Sequence, residues 1–464
     1  MKRVAIYVLF WLMMGPLQAA LWMPSLFSDN MVLQRNSRVT LWGWTTATAA
    51  RVTVEVPWDD TLYVTTAYQG FWSLEVVTGE AGGPYTLAIR AAGDSVVLHN
   101  VLLGEVWICS GQSNMERTPL QGLDNADEEI RRAHYPRMRF FMIPKHAAVT
   151  PQDDTPGYWT ACTPESFSRF SSVGYFFGRE LMQHLDVPVG LIYSNWGGTP
   201  VEVWIRRERI DDDPYLRQAA EQLPPRPWWP CRPGRAWNAM IRPLIPFRIA
   251  GVIWYQGESN TANPYSYYRS FPLLIRSWRE EWGYDFPFYY VQIAPFRYRG
   301  KDSLAAAIVR DAQFRTLREV PNTGMAVTMD IGNVRDIHPR NKQDVGKRLA
   351  LWALAKTYGV DGIVCSGPLY REMKTEGNKA VIYFDYADGG LKAGPGGVQD
   401  LLIAGADRKF VPAQGKIRGN TLVVWSPRVK KPVAVRYAFW DAAQASLFNQ
   451  AGLPASPFRT DDWR

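Results

Sequence analysis

From Leu21 to about Asn100, apolar and polar residues alternate in short runs separated by turn residues. Segments 38–44, 50–56 and 85–90 show the two-residue period or the β-branched enrichment of strands. Regular spacing of such short strands predicts an all-β sandwich. The pattern changes near Val101. Segments 106–109, 137–143, 189–193, 251–255, 288–293 and 325–329 are continuous apolar runs, which fit strands covered on both faces of a parallel sheet. Helical patterns lie among them, over 172–184, 265–282, 304–318 and 342–358. This alternation predicts a layered α/β unit, with its ligand site at the carboxyl ends of the strands. After Gly359 strands return at 379–385, 422–425 and 434–440. The pattern divides the chain into a β module over 20–100, an α/β unit over 101–359 and a second β module over 360–464. It contains no internal repeat and no low-complexity tract.

The first residues read differently. Lys2 and Arg3 precede an apolar stretch over 4–14, which Gly15-Pro16 breaks before Leu17-Gln-Ala-Ala20. This is the layout of a secretory signal peptide over 1–19. The apolar stretch is too short to span a bilayer. The expectation is a periplasmic or secreted protein with no integral membrane segment after cleavage. Losing Lys2 and Arg3 takes the formal charge from +8 to +6 (8 − 2). The basic residues are scattered: Arg206-Arg207 and Lys430-Lys431 are the densest pairs, and neither belongs to a basic stripe. This argues against nucleic-acid binding. The 20 Trp, 22 Tyr and 20 Phe residues serve both β cores and the stacking of sugar rings. Export permits disulfides. Cys109 ends an apolar run and is expected as a buried thiol, while a bridge between two of Cys162, Cys231 and Cys365 stays open. The five histidines, His99, His134, His146, His184 and His338, form no ligand-spaced cluster, which argues against a metalloesterase.

Four segments carry candidate chemistry. Gly111-Gln-Ser113-Asn-Met115 follows the strand at 106–109. A serine on such a strand-to-helix turn suits an acyl-transfer nucleophile, and it suits a helix cap equally well. Met115 stands where the α/β-hydrolase elbow requires glycine, which disfavours that fold. Asp336-Ile-His338-Pro339 follows the strand at 325–329. Histidine takes a proton near neutral pH, and a nearby carboxylate orients it. Of the five histidines, only His338 combines a preceding sheet strand with an aspartate two residues earlier. Asn195-Trp196-Gly197-Gly198-Thr199 and Gln256-Gly257-Glu258-Ser259-Asn260 also follow sheet strands. Their glycines allow close backbone approach and their amides add donors for an oxyanion.

These segments resemble the sialate O-acetylesterase branch of the SGNH (GDSL-like) hydrolases. The resemblance rests on Phe27-Ser-Asp-Asn-Met-Val-Leu-Gln34, Gly104-Glu-Val-Trp-Ile-Cys-Ser-Gly-Gln-Ser-Asn-Met115 and Asn195-Trp-Gly-Gly-Thr-Pro-Val-Glu-Val-Trp204, together with Gly251-Val-Ile-Trp-Tyr-Gln-Gly-Glu-Ser-Asn260, Asp336-Ile-His-Pro339 and the stretch from Phe439-Trp440 to Trp463. It implies a flavodoxin-like, three-layer α/β core with a parallel sheet, flanked here by β-sandwich-like modules, and it implies neither metal nor cofactor. It implies Ser113 as nucleophile and His338 as base. It further implies an oxyanion hole built from the Ser113 N–H, Gly197 or Gly198, and the side chain of Gln256 or Asn260. Asp336 lies two residues before the histidine rather than the three of the wider SGNH pattern, and Gly257-Glu-Ser-Asn260 replaces Gly-x-Asn-Asp. The orienting acid therefore stays open: Asp336 first, with Glu258 and Asp330 as substitutes.

The implied substrate is an O-acetylated sugar, O-acetylated sialic acid first and acetylated xylan or another plant polysaccharide second. Trp196 is a candidate sugar contact, and Arg206, Arg207 and Arg235 are candidates for a sialate carboxylate. A non-catalytic sugar-binding protein using Trp196, Trp228 and Trp229 is the rival class. The presence of both Ser113 and His338 argues against it. The sequence leaves the oligomeric state open.

Overall fold

The continuous apolar runs assemble into one large mixed sheet. The computed structural model describes residues 20–298 and 304–463, so the expected signal peptide lies outside the described residues. Seven strands form the body of the sheet: β1 (Asp94–Gly111), β2 (Tyr135–Met142), β3 (Trp159–Cys162), β4 (Val189–Asn195), β5 (Gly251–Tyr255), β6 (Phe288–Val291) and β7 (Thr323–Ala326). Their order is β3-β2-β4-β1-β5-β6-β7. All neighbours are parallel except the β2–β3 pair.

The two-sided burial expected of these runs is realised residue by residue. Val106 and Ile108 join one apolar cluster, and Trp107 and Cys109 join the other. Helices α2 (Ser172–Leu185) and α5 (Gln343–Trp352) cover the Trp107 face. Helices α3 (Tyr267–Trp282) and α4 (Ala305–Glu319) cover the Ile108 face. Each fully buried Val, Leu or Ile contributes about 1.5–3 kcal/mol to holding these layers together.

The boundary expected near residue 100 is a change of burial, not of backbone. β1 runs unbroken from Asp94, pairing first with Gly82–Ala91 and Val32–Gln34 and then with β4 and β5. Asn100 adopts a left-handed φ of 55°. Around it the strand switches from alternating exposure to full burial. The N-terminal strands thus belong partly to the central sheet. A separate three-stranded sheet joins Leu21–Trp22, Arg38–Thr45 and Phe71–Val77.

The C-terminal part forms two four-stranded antiparallel sheets and one two-stranded sheet. Buried polar contacts tie it to the core. The Asp441 carboxylate accepts the Ala306 N–H at 2.7 Å, and the buried Arg310 donates to the Trp440 carbonyl at 2.6 Å. All four cysteines are free and buried, so the bridge left open among Cys162, Cys231 and Cys365 does not form. Among the described residues, no helix is long and apolar enough to cross a membrane.

Candidate active site

The site grows from the carboxyl end of β1. Gly111 is in register with Asn195 at the end of β4 and with Tyr255 at the end of β5. After β1 the chain builds one side of the sheet with β2, β3 and β4 and then crosses to the other side with β5, β6 and β7. The end of β1 is therefore the crevice where connections diverge, which is the ligand position of open α/β sheets. The Gln112 N–H donates to the Tyr255 carbonyl at 2.9 Å. Its side-chain oxygen accepts the Gly257 and Ser259 N–H groups at 3.4 and 3.2 Å. These bonds fix the start of the one-turn helix α1 (Ser113–Glu116).

Ser113 is the first residue of α1, and Gln112 occupies the cap position. The serine hydroxyl is therefore not spent on capping. It lies 2.9 Å from His338 Nε2. The Asp336 carboxylate accepts the His338 backbone N–H at 2.9 Å, which shapes the loop. Its distance to His338 Nδ1 is 3.8 Å, beyond a hydrogen bond. The atom on Nδ1 is Nη2 of Arg117, at 2.9 Å. Burial, reinforced by the charges of Arg117 and Lys342 and opposed by Asp336, pulls the His338 pKa down to about 4. His338 is thus neutral at ordinary pH.

The other two carboxylates lie elsewhere. Asp330 forms a two-pronged pair with Arg348, both bonds 2.6 Å, and is spent there. Glu258 is buried and accepts from the Asn114 amide at 2.6 Å, while its other oxygen has no partner among the described residues. Burial raises its pKa. The same Asn114 amide donates to the Ile337 carbonyl at 3.0 Å, and Asn114 Oδ1 accepts from the buried Lys342 at 2.5 Å. Burial pulls the Lys342 pKa down to about 7, against the pull of Glu258. Asn114 thus couples the turn carrying Ser113 to the loop carrying His338.

The expected oxyanion donors divide. The Ser113 and Gly198 N–H groups carry no hydrogen bond among the described residues, whereas the Gly197 N–H donates to Glu116 at 2.5 Å. Glu116 in turn pairs with Lys145 at 2.5 Å. The side chains of Gln256 and Asn260 are not free donors, contrary to expectation. Gln256 donates to the Thr199 carbonyl and to Asn260 Oδ1 and accepts from Tyr267. Asn260 donates to both oxygens of the buried Glu202 and accepts the Val201 N–H. Both amides are fully buried and hold the loop from behind.

Around the crevice, a Cβ on Gly198 would meet the Trp229 ring at 2.6 Å, so that ring lies directly on the glycine loop. Trp196 Nε1 donates to the Trp228 carbonyl at 3.1 Å. The Trp228 side chain itself is 73% exposed, in the proline-flanked segment 224–230. Arg206 pairs with Glu281 and Glu208, and Arg207 pairs with Asp211. Both guanidinium groups thus already have carboxylate partners within the chain. The Arg235 carbonyl accepts the Ala148 N–H at 3.1 Å, and among the described residues its guanidinium has no acid partner within 4.0 Å.

Pattern reasoning passed over Glu116, Arg117 and Lys342, because isolated charges read as solvated. The signal was their spacing. Glu116 and Arg117 stand three and four positions after Ser113, on the same helical face, and Lys342 stands four after His338.

Comparison with known proteins places this geometry among relatives. Residues 103–355 match the family described as "Carbohydrate esterase, sialic acid-specific acetylesterase". The chain is 32% identical to the sialate O-acetylesterase of Rattus norvegicus, over 78% of each chain. It is 30% identical to that of Pongo abelii, over 94% of this chain and 91% of the relative. Among solved structures it is similar to a carbohydrate acetylesterase from Xanthomonas citri. That match has 38% identity and a TM-score of 0.86, and covers 96% of this chain and 100% of the other.

Proposed function

The chain belongs to the sialic acid-specific acetylesterase family of carbohydrate esterases and is a carbohydrate O-acetylesterase; from that premise we propose that Ser113 and His338 perform its acetyl transfer. The observation that carries this assignment is the 2.9 Å approach of Ser113 Oγ to His338 Nε2 at the divergence point of the sheet. His338 takes the serine proton as Oγ bonds to the acetyl carbonyl carbon. The carbonyl oxygen becomes an oxyanion, which the Ser113 and Gly198 N–H groups receive. The carbon–oxygen bond to the sugar then breaks, and the sugar oxygen leaves with the proton from His338. Water repeats the sequence on the acetyl-serine and releases acetate. Asp336 stabilises the charged imidazole once it moves onto Nδ1.

We take residues 101–359 as the hydrolase unit. With the β2–β3 hairpin set aside, its parallel strands run 2-1-3-4-5, the flavodoxin-like order. Residues 20–100 and 360–464 are the flanking β modules. Residues 1–19 serve as an export signal, giving a periplasmic or secreted enzyme.

The substrate is first an O-acetylated sialic acid, in line with the family and the mammalian relatives. An acetylated plant polysaccharide is the second reading, favoured by the exposed Trp228 beside the glycine loop. An exposed indole held by neighbouring prolines suits stacking on a chain of pyranose rings. Acetate release from O-acetylated sialic acid against acetylated xylo-oligosaccharides separates the two. Trp228→Ala is expected to raise KM about fivefold for the oligosaccharide, from a lost stacking contact of about 1 kcal/mol. KM for p-nitrophenyl acetate, which has no sugar ring, stays unchanged.

The pH profile tests the base. A pKa of about 4 leaves His338 neutral above that value and protonated below it. The acid limb of kcat/KM is therefore expected near pH 4. About nine-tenths of the plateau survives at pH 5, where an unshifted histidine would retain about 3%. A midpoint near 6.5 would remove His338, in this environment, as the base.

A further inference from the structure

Arg117 Nη2 lies 2.9 Å from His338 Nδ1. A guanidinium only donates, so Nδ1 presents a bare lone pair. The neutral ring then carries its proton on Nε2 and donates to Ser113 Oγ at 2.9 Å. That tautomer cannot take the serine proton. A base needs its lone pair on Nε2 and its proton on Nδ1. With a proton on Nδ1, Arg117 and the ring would be two donors face to face. Arg117 must therefore leave before the reaction proceeds. Asp336 Oδ1, 3.8 Å from Nδ1, is the acceptor within reach once it does.

Arg117 also lacks a counter-ion. No carboxylate among the described residues lies within 4.0 Å of it. Apart from Nδ1, its side chain donates, among the described residues, only to the Gln121 carbonyl. By contrast, Arg206, Arg207, Arg209, Arg269 and Arg348 all have acid partners. A half-buried, unpaired guanidinium one imidazole away from the nucleophile is a receptor for a carboxylate, which fits its planar fork.

We propose that Arg117 is a substrate-released latch: the carboxylate of an acidic acetylated sugar draws it off His338, and the ring exchanges its proton to take up the base tautomer against Asp336. The proposal rests on the Ser113–His338 reading above and adds to it a specificity-determining residue. Neutral esters lack the group that releases the latch and react only as often as Arg117 departs unaided. The carboxylate can belong to a sialic acid or to a uronic acid.

The test is Arg117→Met, which keeps the apolar stem, assayed on p-nitrophenyl acetate, acetylated xylo-oligosaccharide, O-acetylated sialic acid and an acetylated uronide. On the two neutral esters kcat/KM is expected to rise about threefold or more. On at least one acidic sugar it is expected to fall about tenfold or more, through loss of a charge-assisted bond; which one falls names the acid. Nitrogen-15 NMR of the imidazole is expected to show the proton on Nε2 in the wild type and on Nδ1 in the variant. A fall on all four substrates alike would make Arg117 a prop for the ring, and unchanged rates would make it a bystander; either overturns the latch. Esterase activity surviving in Ser113→Ala would instead overturn the underlying assignment.

Discussion

Ser113→Ala is expected to lower acetate release by about 10⁴-fold or more, with the fold intact. Among the described residues, the hydroxyl it removes has one partner, His338 Nε2. Half-exposed, it leaves no buried group stranded, so stability is expected to change by no more than about 0.5 kcal/mol. His338→Ala is expected to cost about the same. The double variant should then be hardly worse than either alone, because nucleophile and base act as one unit. The residue of activity is expected to come from the Ser113 and Gly198 N–H groups proposed to receive the oxyanion, which do not need the side chains. Independent, multiplying losses would show that the two groups serve different steps, and wild-type release from Ser113→Ala would end the serine-esterase reading.

The sequence made the core legible because the physics was local. Segments 106–109, 189–193 and 251–255 are apolar at every position and only four or five residues long, which suits strands covered on both faces. Those strands appear where the runs are, as β1, β4 and β5. Ser113 and His338 were legible for a different reason: histidine is scarce here, and one of five follows a sheet strand with an acid nearby. What pattern could not give was direction. Gln256 and Asn260 sit in the expected loop, yet their amides turn inward to Tyr267 and Glu202. The polar partner that decides this, Glu202, lies on another loop. Pattern likewise could not reveal which charges are buried. Lys342 and Glu258 are drawn inside because Asn114 bonds both, a three-body arrangement with no local signature. The unbroken β1 across residue 100 was hidden because burial changed there while backbone pairing did not.

Gly111→Ala is the second large effect, and it tests why Ser113 stands where it does. Gly111 has φ +132°, a region that residues with a side chain rarely enter. A Cβ there would lie 2.2 Å from the Tyr255 carbonyl oxygen and 2.7 Å from its carbon. These are backbone atoms of the neighbouring strand, so no rotamer change relieves the clash. Either β1 and β5 part at their carboxyl ends or the turn refolds. The strain and the lost pairing together are expected to cost about 3 kcal/mol or more, read as a lower urea midpoint. Parting the strands also moves the Gln112 N–H away from the Tyr255 carbonyl, and with it the turn that aims Ser113. A displacement of about 1 Å at a nucleophile is enough for a loss near a hundredfold. Gly79→Ala is the control, since a Cβ at Gly79 meets nothing within 4 Å; it is expected to leave both midpoint and rate unchanged. If Gly111→Ala matched that control, the close contact between β1 and β5 would not be what positions the nucleophile, and the aim of Ser113 would have to come from the Asn114, Glu258 and Lys342 network beneath it.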